Sequence, residues 1–582
     1  MPSNGLPVQS LSHEVLSERY LVAGELGCDD IFRRVAKALA SVEKSEEQQA
    51  YEVLFFKNFR DGAIGAGRIM HAAGTALDAT LINCFVQPLG ASLQSVYQAL
   101  HEAGETLQRG GGVGYDFSCI YPRNAEATET FAADPCGYID MFNKSCATLE
   151  GLGSRRGAQM GVLRIDHPDI DAFMQAKRQR GRWSSFNVSV AVTDAFMHAY
   201  IRGETWQLVH SAKPSLAMLA EGAFQRGDGL WVYESLPAKV LWQRLTQSAY
   251  DFSEPGVLFI DQIQRDNNLL ALETIEATNP CGEQPLPPYG GCDLGPLILP
   301  RFVRNPFGLA GDATFNFSAF EASVALQVRA LDNVLDLTFW PLRQQREEAM
   351  GKRRIGVGLT GLGNALTMLC LRYDSDAGRA MAARIGQCMR DSAYRASIGL
   401  AIEKGAFPKF NPHTYFSGGN FACRLPETLQ QAIRAHGIRN SHLLAIAPAG
   451  SVSLAFADNA SNGIEPSFAW KYLRKKTAAD GSQVVYSVED YAWRLFRSLG
   501  GNVRTLPSYF VSALEMTPAS HIAMMQTMQP FVDAAISKTV NVLESCTYQV
   551  FEDLFLQAWQ SKLKGFSTYR PNDLVGSVLR MT

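Results

Sequence analysis

The sequence predicts an α/β protein built around a largely parallel sheet, and three observations carry that prediction. Short apolar runs recur along the chain: LINCFVQPL (81–89), QMGVLRI (159–165), FNVSVAV (186–192), GVLFI (256–260), RIGVGLTGL (354–362) and HLLAIAP (442–448). Longer stretches with helical periodicity alternate with them, at Ser92–Arg109, Val240–Ala249, Ser318–Leu337 and Gly378–Lys404. Apolar strands separated by helices read as strands buried on both faces. Finally, no long Pro/Ser-rich linker divides residues 61–543, so a single large domain is expected there.

Before that domain, residues 1–60 read as a helical cap. Ile31, Phe32, Val35 and Leu39 recur at helical spacing behind Asp29 and Asp30, which suit a helix N-terminus. A second helix is expected from about Ser45, where SEEQ fits a capping box, and carries Val53, Leu54 and Phe55. After the domain, 544–582 holds a helical portion, FEDLFLQAWQSKLKG, followed by a polar loop, FSTYRPNDLVGS.

The bulk properties exclude several classes. Of 582 residues, 46% are hydrophobic and 19% charged, enough to build a large core. A net charge of −3 gives no general basis for binding nucleic acid or a membrane. No apolar stretch approaches the span of a bilayer, and MPSNGLPVQSLSHEV lacks the pattern of a secretory leader. Eleven Cys without a dense framework fit a reducing, cytoplasmic setting, where paired thiols serve catalysis more often than crosslinking. No paired CxxC units and no HExxH occur, so no metal site is expected.

The leading candidate site is TNPCGEQPLPPYGGCDLGPLIL (278–299). It places an amide, a thiol and a carboxylate at alternate positions, Asn279, Cys281 and Glu283, with a second thiol, Cys292, beyond a Pro/Gly turn. In an extended segment such residues face one side, where they can serve one substrate. A lone Cys is more often a small buried hydrophobe, and Cys84 in LINCFV reads that way by itself. Three further stretches are weaker. QRGGGVGYDFS (108–118) reads as a tight structural turn, and its spacing is not that of a phosphate-binding loop. GLGSRRGAQMGVLRIDHPDI (151–170) sets Arg155 and Arg156 before a strand, either a solvated basic loop or a phosphate and base contact. IAPAGSVSLAFADNASNGIEPSFA (446–469) resembles a strand, a small-residue turn and a helix start, either a phosphate cradle or an ordinary Ser-capped helix.

Taken in order, NCFV (83–86), GGGVGYDFS (110–118), RRGAQMGVLRIDHPDI (155–170), NPCGEQPLPPYGGCDLG (279–295), KRRIGVGLTGL (352–362), IAPAGSVSLAFADNASNGIEP (446–466), ISKTVN (536–541) and KGFSTYRPN (564–572) resemble the catalytic chain of ribonucleotide reductases. The resemblance is closest to the adenosylcobalamin-dependent class and extends from about Leu16 onward. It implies a ten-stranded α/β barrel of two parallel five-stranded halves crossed by a central finger loop. By the motif match, Cys281 is the radical thiol, flanked by Asn279 and Glu283, and Cys84 and Cys292 are the pair that supplies electrons. The family's cofactor generates a thiyl radical that abstracts the ribose 3′ hydrogen. Glu283 takes the 3′-hydroxyl proton, Asn279 holds the sugar, and the barrel interior shields the radical. The thiol pair ends as a disulfide. Asn83 joins the substrate set. Substrate phosphates are expected at Ala449, Gly450, Ser451, Val452 and Ser453, and Gly153, Arg155, Arg156 and Gly157 fall in the loop linking effector to base choice.

The resemblance also implies a ribonucleotide substrate, with diphosphates favoured, a deoxynucleotide or ATP effector and a homodimer. Three departures accompany it. Ala91 stands where relatives often carry Asp in a GDS-like turn, and Cys119 stands in place of an Arg, which weakens the expected effector contacts. The N-terminus is too short for an ATP-cone. No Cys follows Cys546, so a thioredoxin-like reductant or a small companion chain bearing a Cys pair is expected to recharge the site. The competing reading is the class whose large subunit takes its radical from a separate metal-containing protein. That class carries a Tyr–Tyr pair near its C-terminus, whereas STYRPN offers only Tyr569. A catalytically silent nucleotide-binding paralogue would have no need of this thiol set.

Overall fold

The computed structural model describes residues 6–126, 133–150, 157–477, 483–571 and 579–581. The chain is α/β, with nine strands in its principal sheet: β1 (Cys84–Val86), β2 (Gly112–Asp116), β3 (Gln159–Arg164), β4 (Phe186–Val192), β5 (Gly256–Phe259), β6 (Gly291–Ile298), β7 (Ile355–Thr360), β8 (Thr539–Asn541) and β9 (Gly565–Tyr569). Their order is β7-β6-β1-β2-β3-β4-β5-β9-β8. Strands β1 to β5 are parallel to their neighbours, as are the pairs β6–β7 and β8–β9. Two antiparallel contacts, β1 with β6 and β5 with β9, join these groups. Nearly every residue of β4 and all of β7 are buried, which is why FNVSVAV and IGVGLT lack polar alternation.

The run at 442–448 makes isolated bridges instead of a regular strand. Leu444 bridges Val357 of β7, and Ile446 bridges Ile536, both in parallel. Val357 N donates to Leu443 O at 2.7 Å, and Ile446 N to Ala535 O at 3.1 Å. This stretch therefore lies between β7 and the segment leading into β8.

The helices Leu93–Gln108, Ala238–Phe252, Phe317–Leu337 and Asp376–Lys404 fall where periodicity places them. Side-chain caps set several starts: Ser92 Oγ accepts from Ser95 N at 3.2 Å, and Ser375 Oγ from Gly378 N at 3.1 Å. The N-terminal helix Cys28–Ala40 buries Ile31, Phe32, Val35 and Leu39 as expected. Its successor begins at Gln48 without a side-chain cap, so the SEEQ box is not formed. There Phe55 and Phe59 pack inward at i, i+4 spacing, leaving Val53 and Leu54 on the solvent side.

Two further expectations are corrected. Only the start of the Gly-rich stretch, Arg109 and Gly110, is a turn: residues 112–116 form strand β2, inside the principal sheet. A Cβ on Gly114 would overlap the Thr278 carbonyl, and one on Gly112 would lie 3.0 Å from Pro280 Cγ. The absent side chains let the chain at 278–280 cross directly over the sheet. Strand β9 (Gly565–Tyr569) takes up the start of the expected polar loop, from Phe566, burying Phe566 and Thr568 and leaving the alternate residues half-buried. Among the described residues no helix is long and apolar enough to cross a membrane.

Substitution Gly114→Ala is expected to destabilise the fold by about 3 kcal/mol or more, because the obstructing atom is backbone and cannot rotate away. Gly399→Ala, on an exposed helix position with open space around it, should instead be neutral or stabilising by about 0.5–1 kcal/mol. Thermal and denaturant melts of the two variants check the contrast.

Candidate active site

A short antiparallel hairpin, with Thr278 opposite Pro285 and Ala277 opposite Leu286, carries residues 279–284 against β1, β2 and β3. Its tip is a turn. Gly282 N donates to Asn279 O at 3.1 Å, with Pro second and Gly fourth, the residues a type I turn favours. The alternation of Asn279, Cys281 and Glu283 therefore does not work through an extended strand. The turn gathers the three, with Asn279 and Glu283 buried and Cys281 exposed at the tip.

Backbone and side-chain bonds fix the hairpin. Asn279 N donates to Gln284 O at 3.1 Å, and Asn279 Oδ1 accepts from Gln284 N at 3.0 Å. Asn187 Nδ2 donates to Pro280 O at 2.8 Å, and Ala535 N to Glu283 O at 3.0 Å. With its oxygen held by Gln284, the Asn279 amide aims Nδ2 at Cys84 Sγ, 3.1 Å away. Cys84 Sγ lies 3.8 Å from Glu283 Oε1. Cys292 is directly opposite Cys84 across the β1–β6 pair. Opposed residues hold their Cβ atoms about 4.5–5.5 Å apart, and a disulfide needs about 3.5–4.5 Å, so a small local closure would be enough to let these two free thiols join.

Burial sets the protonation of this cluster. It raises the Glu283 carboxyl from its usual 4.5 to about 7. Burial, then the Glu283 charge, pushes the Cys84 thiol well up; burial and the Asp293 charge do the same for Cys292. The dithiol is thus held as two neutral S–H groups beside a carboxyl that exchanges its proton near neutrality.

A cavity of ≈260 Å³ is lined by Asn83, Cys84, Asn279, Cys281, Glu283 and residues 449–452. Glu283 Oε2 and Asn83 Oδ1 are buried there without hydrogen-bond partners, which leaves two acceptors for a polar ligand. Ala449, in the left-handed conformation at φ 55°, precedes the helix Gly450–Phe456. Ser453 lies apart from the cavity lining: it is buried, and its hydroxyl meets Thr360 Oγ1 at 2.5 Å.

Sequence reasoning missed two cations near this cavity. Arg68 lines it from the short helix Gly67–Ala72, and its guanidinium packs where a Cβ on Gly110 would stand. Arg19, at the end of the helix Ser10–Arg19, donates to Ser451 Oγ at 3.3 Å. Neither lies in a motif. The glycine at 110, with φ +94°, was the available signal, since a glycine can mark a neighbour's close approach.

A second cavity, of ≈370 Å³, meets the first at Pro280, Cys281 and Pro448. Ser189, Gly256, Lys538, Gly565, Ser567 and Tyr569 lie along it. Cys281 is therefore the thiol shared by two separate spaces. Gly153, Arg155 and Arg156 lie outside the described residues, and Gly157 is described just ahead of β3. Ala91 and Cys119 line a different cavity, of ≈770 Å³.

The α/β fold agrees with what sequence comparison finds. Residues 82–569 match the ribonucleotide reductase barrel domain, and the chain belongs to that family. It is 31% identical over 597 residues to a vitamin B12-dependent ribonucleoside-diphosphate reductase of Mycobacterium tuberculosis (strain CDC 1551 / Oshkosh), covering 97% of this chain and 80% of that protein. A protein of the same name from Thermoplasma acidophilum is 28% identical, over 87% of this chain and 63% of its own. The ribonucleoside-diphosphate reductase large chain of Encephalitozoon cuniculi is 26% identical, over 95% of this chain and 76% of its own.

Two outcomes follow from the burial of these groups. Brief alkylation at neutral pH, read by peptide mass spectrometry, should modify exposed Cys281 well before buried Cys84 and Cys292. The raised carboxyl also has a definite sign: the folded state keeps Glu283 protonated while the unfolded chain ionises. Its burial cost therefore builds up from pH 4.5 and is complete above about 7. Glu283→Gln should accordingly melt higher than wild type at pH 8, with that advantage shrinking towards pH 4.5.

Proposed function

We propose that this protein reduces ribonucleotides, with diphosphates favoured, to 2′-deoxyribonucleotides by thiyl-radical chemistry that depends on adenosylcobalamin. The observation that carries this reading is the placement of Cys281 on one cavity with Cys84, Asn279 and Glu283, with Cys292 directly opposite Cys84. A binding scaffold has no need of a neutral buried dithiol beside a carboxyl that titrates near pH 7.

In this reading the sugar lies in the smaller cavity, and its phosphates meet the backbone at 449–452, with Arg68 and Arg19 supplying positive charge. Cys281, as a thiyl radical, takes the hydrogen from C3′. Glu283 accepts the 3′-hydroxyl proton, and Cys84, kept protonated by burial, gives a proton to the departing 2′-hydroxyl, which leaves as water. Cys84 and Cys292 together lose two electrons and their two protons and become a disulfide. Cys281 returns a hydrogen to C3′ and is a radical again at the end of the cycle. The net change is ribonucleotide plus dithiol to deoxyribonucleotide, disulfide and water. Asn279 orients the sugar and the Cys84 thiol together.

The residues present fit the nucleoside portion of the cofactor. A nucleoside-sized space reaches Cys281 from beyond the substrate cavity and is bordered by small residues, Ser189, Gly256, Gly565 and Ser567. When bound, adenosylcobalamin supplies the one-electron, hydrogen-abstracting chemistry that activates the Cys281 thiol. Relatives named as B12-dependent reductases support this choice over a radical-donating subunit, as does the single Tyr569 in place of a Tyr–Tyr pair.

The finer architecture is part of the same proposal. The bridges from Leu444 to Val357 and from Ile446 to Ile536 link the two ends of the nine-stranded sheet. Counting 442–446 as a strand gives a ten-stranded barrel of two parallel halves. The reading further takes 1–60 as a cap and 61–543 as the barrel domain, with 544–582 as a C-terminal segment that lends it β9. It includes a homodimer, a deoxynucleotide or ATP effector with contacts altered at Ala91 and Cys119, a cytoplasmic setting, and a thioredoxin-like reductant or companion chain.

Anaerobic assay with adenosylcobalamin, a dithiol and a ribonucleoside diphosphate should yield deoxyribonucleotide. Product forming only with an added iron- or manganese-containing subunit would support the other class, and no product under any of these conditions would overturn the reading. Cys281→Ser should abolish turnover, and Cys292→Ser should block steady disulfide-forming turnover. With Glu283 as base, kcat/KM should rise with pH through a limb near 7 that Glu283→Gln lacks.

A further inference from the structure

The carboxyl ends of β1 to β5 open onto the cavity of ≈770 Å³ that holds Ala91 and Cys119, larger than either space at Cys281. Val86, Asp116, Arg164, Thr193 and Ile260, at or one residue past the ends of those strands, all line it. That end of a parallel sheet is where ligands of α/β proteins commonly sit.

The lining is rich in acceptors and poor in cations. Asp116, Asp166, Asp261 and Glu276 share it with a single cation, Arg164, which pairs with Asp166. Asp116 and Asp261 are half-buried and Glu276 is exposed, so each keeps accessible surface. Among the described residues none of these three is in an ion pair. The Glu276 charge acts on Asp116, Cys119 and Arg164, which places its carboxylate on this space. Burial lowers His167 to about 3 and His210 to about 4, so neither adds positive charge near neutrality. Two amide oxygens extend the acceptor set. Gln87 is 2% exposed; its Nε2 bonds Glu102, which is not part of the lining, and its Oε1 is left without a partner on the cavity side. Gln264 Nε2 donates to Ile275 O at 2.7 Å, and its Oε1 is also unpartnered.

A ligand that answers this lining consists of donors and positive charge. A phosphate would meet three uncompensated negative charges, so the cavity does not suit a nucleotide. Nor does it suit a single metal ion. Among the described residues the one set of three ligand atoms within 4.8 Å of one another is at Glu43, Glu47 and Glu403, none of which lines this cavity. The carboxylates here are set apart, on walls that also carry Leu89, Ile275, Leu286 and Pro288. Ammonium groups separated by methylene segments match both features, since aliphatic stems pack on apolar surface while their charged ends reach polar partners.

We propose that this cavity binds an aliphatic polyamine, with its ammonium groups at Asp116, Asp261 and Glu276 and its methylene segments on the apolar wall. Ala277 and Leu286, an opposed pair of the hairpin that carries Cys281, belong to that wall. An occupant therefore supports the hairpin at its base. The assignment does not depend on the radical chemistry proposed above.

Spermidine is titrated into the full chain by calorimetry at fixed ionic strength, with magnesium chloride and dATP as comparison ligands. It should bind the wild type, and Asp116→Asn/Glu276→Gln should weaken it about 10- to 100-fold, the range for lost charge-assisted hydrogen bonds. Asp261→Asn should weaken it in the same direction. Each Asn keeps an oxygen for the bond that Asp116 accepts from Ser118 N and that Asp261 accepts from Asp194 N, so the local fold is retained. The charge-matched control Asp312→Asn/Glu544→Gln, at exposed positions outside the lining, should stay within about twofold. Saturating spermidine should also raise the Tm of the wild type and leave that of Asp116→Asn/Glu276→Gln unchanged. No binding to the wild type, or equal loss in the control, would overturn the proposal. So would magnesium losing as much affinity as spermidine in Asp116→Asn/Glu276→Gln, which would make the lining an unselective cation surface. Loss of dATP binding in that variant would assign the cavity to a nucleotide and overturn it as well.

Discussion

The antiparallel contact between β1 and β6 is the constraint on which the candidate site depends. It sets Cys84 opposite Cys292, although 207 residues lie between them in sequence. It is also one of the two places where the strand direction reverses in the principal sheet. A parallel neighbour would have required a crossover connection before the next strand. Here the chain instead turns through Pro287, Tyr289 and Gly290 and enters β6 directly after the hairpin. The hairpin tip is thereby held over the same strands that carry the thiols. Gly112 and Gly114 permit that approach because neither offers a Cβ to obstruct it.

Burial explains the chemistry available at that junction. A dithiol in contact with water would ionise and react with stray oxidants. Deep in the sheet, both thiols are driven towards their neutral forms, and Glu283 is brought to the middle of the pH scale. The same low dielectric that makes these groups costly to charge lets one carboxyl act as base beside two proton donors. Cys281 differs because the type I turn projects it out of the buried layer and into the space between two cavities. Under the proposed reading this separates the radical step from the electron-supplying pair by one turn of backbone.

Much of the fold was legible because fully buried strands write themselves as apolar runs. FNVSVAV and RIGVGLTGL lie on β4 and β7 with little displacement. The exceptions have specific causes. Strand β2 was hidden by its glycines, which normally mark turns but here make room for the hairpin. Strand β9 was hidden by Ser567 and Thr568, polar residues in a sheet whose neighbouring face borders a cavity. HLLAIAP reads as a strand, yet it makes bridges only at Leu444 and Ile446. The helix after Ser45 starts later than its capping pattern indicates, at Gln48 with no side-chain cap.

The sequence by itself singled out the groups to which the proposed reading assigns the chemistry: Asn279, Cys281 and Glu283 within five residues, Cys84 and Cys292 at a distance, and the small-residue stretch at 449–453. Motif order supplied that, because reacting groups and close-approach glycines tolerate few substitutes. Only the tertiary structure decided how they meet. It replaced an extended alternation with a turn, set Ser453 apart from the cavity and brought in Arg68 and Arg19 from segments without a motif. Charges recruited from distant elements leave no local spacing to read. Their role is fixed by where packing ends and a cavity begins.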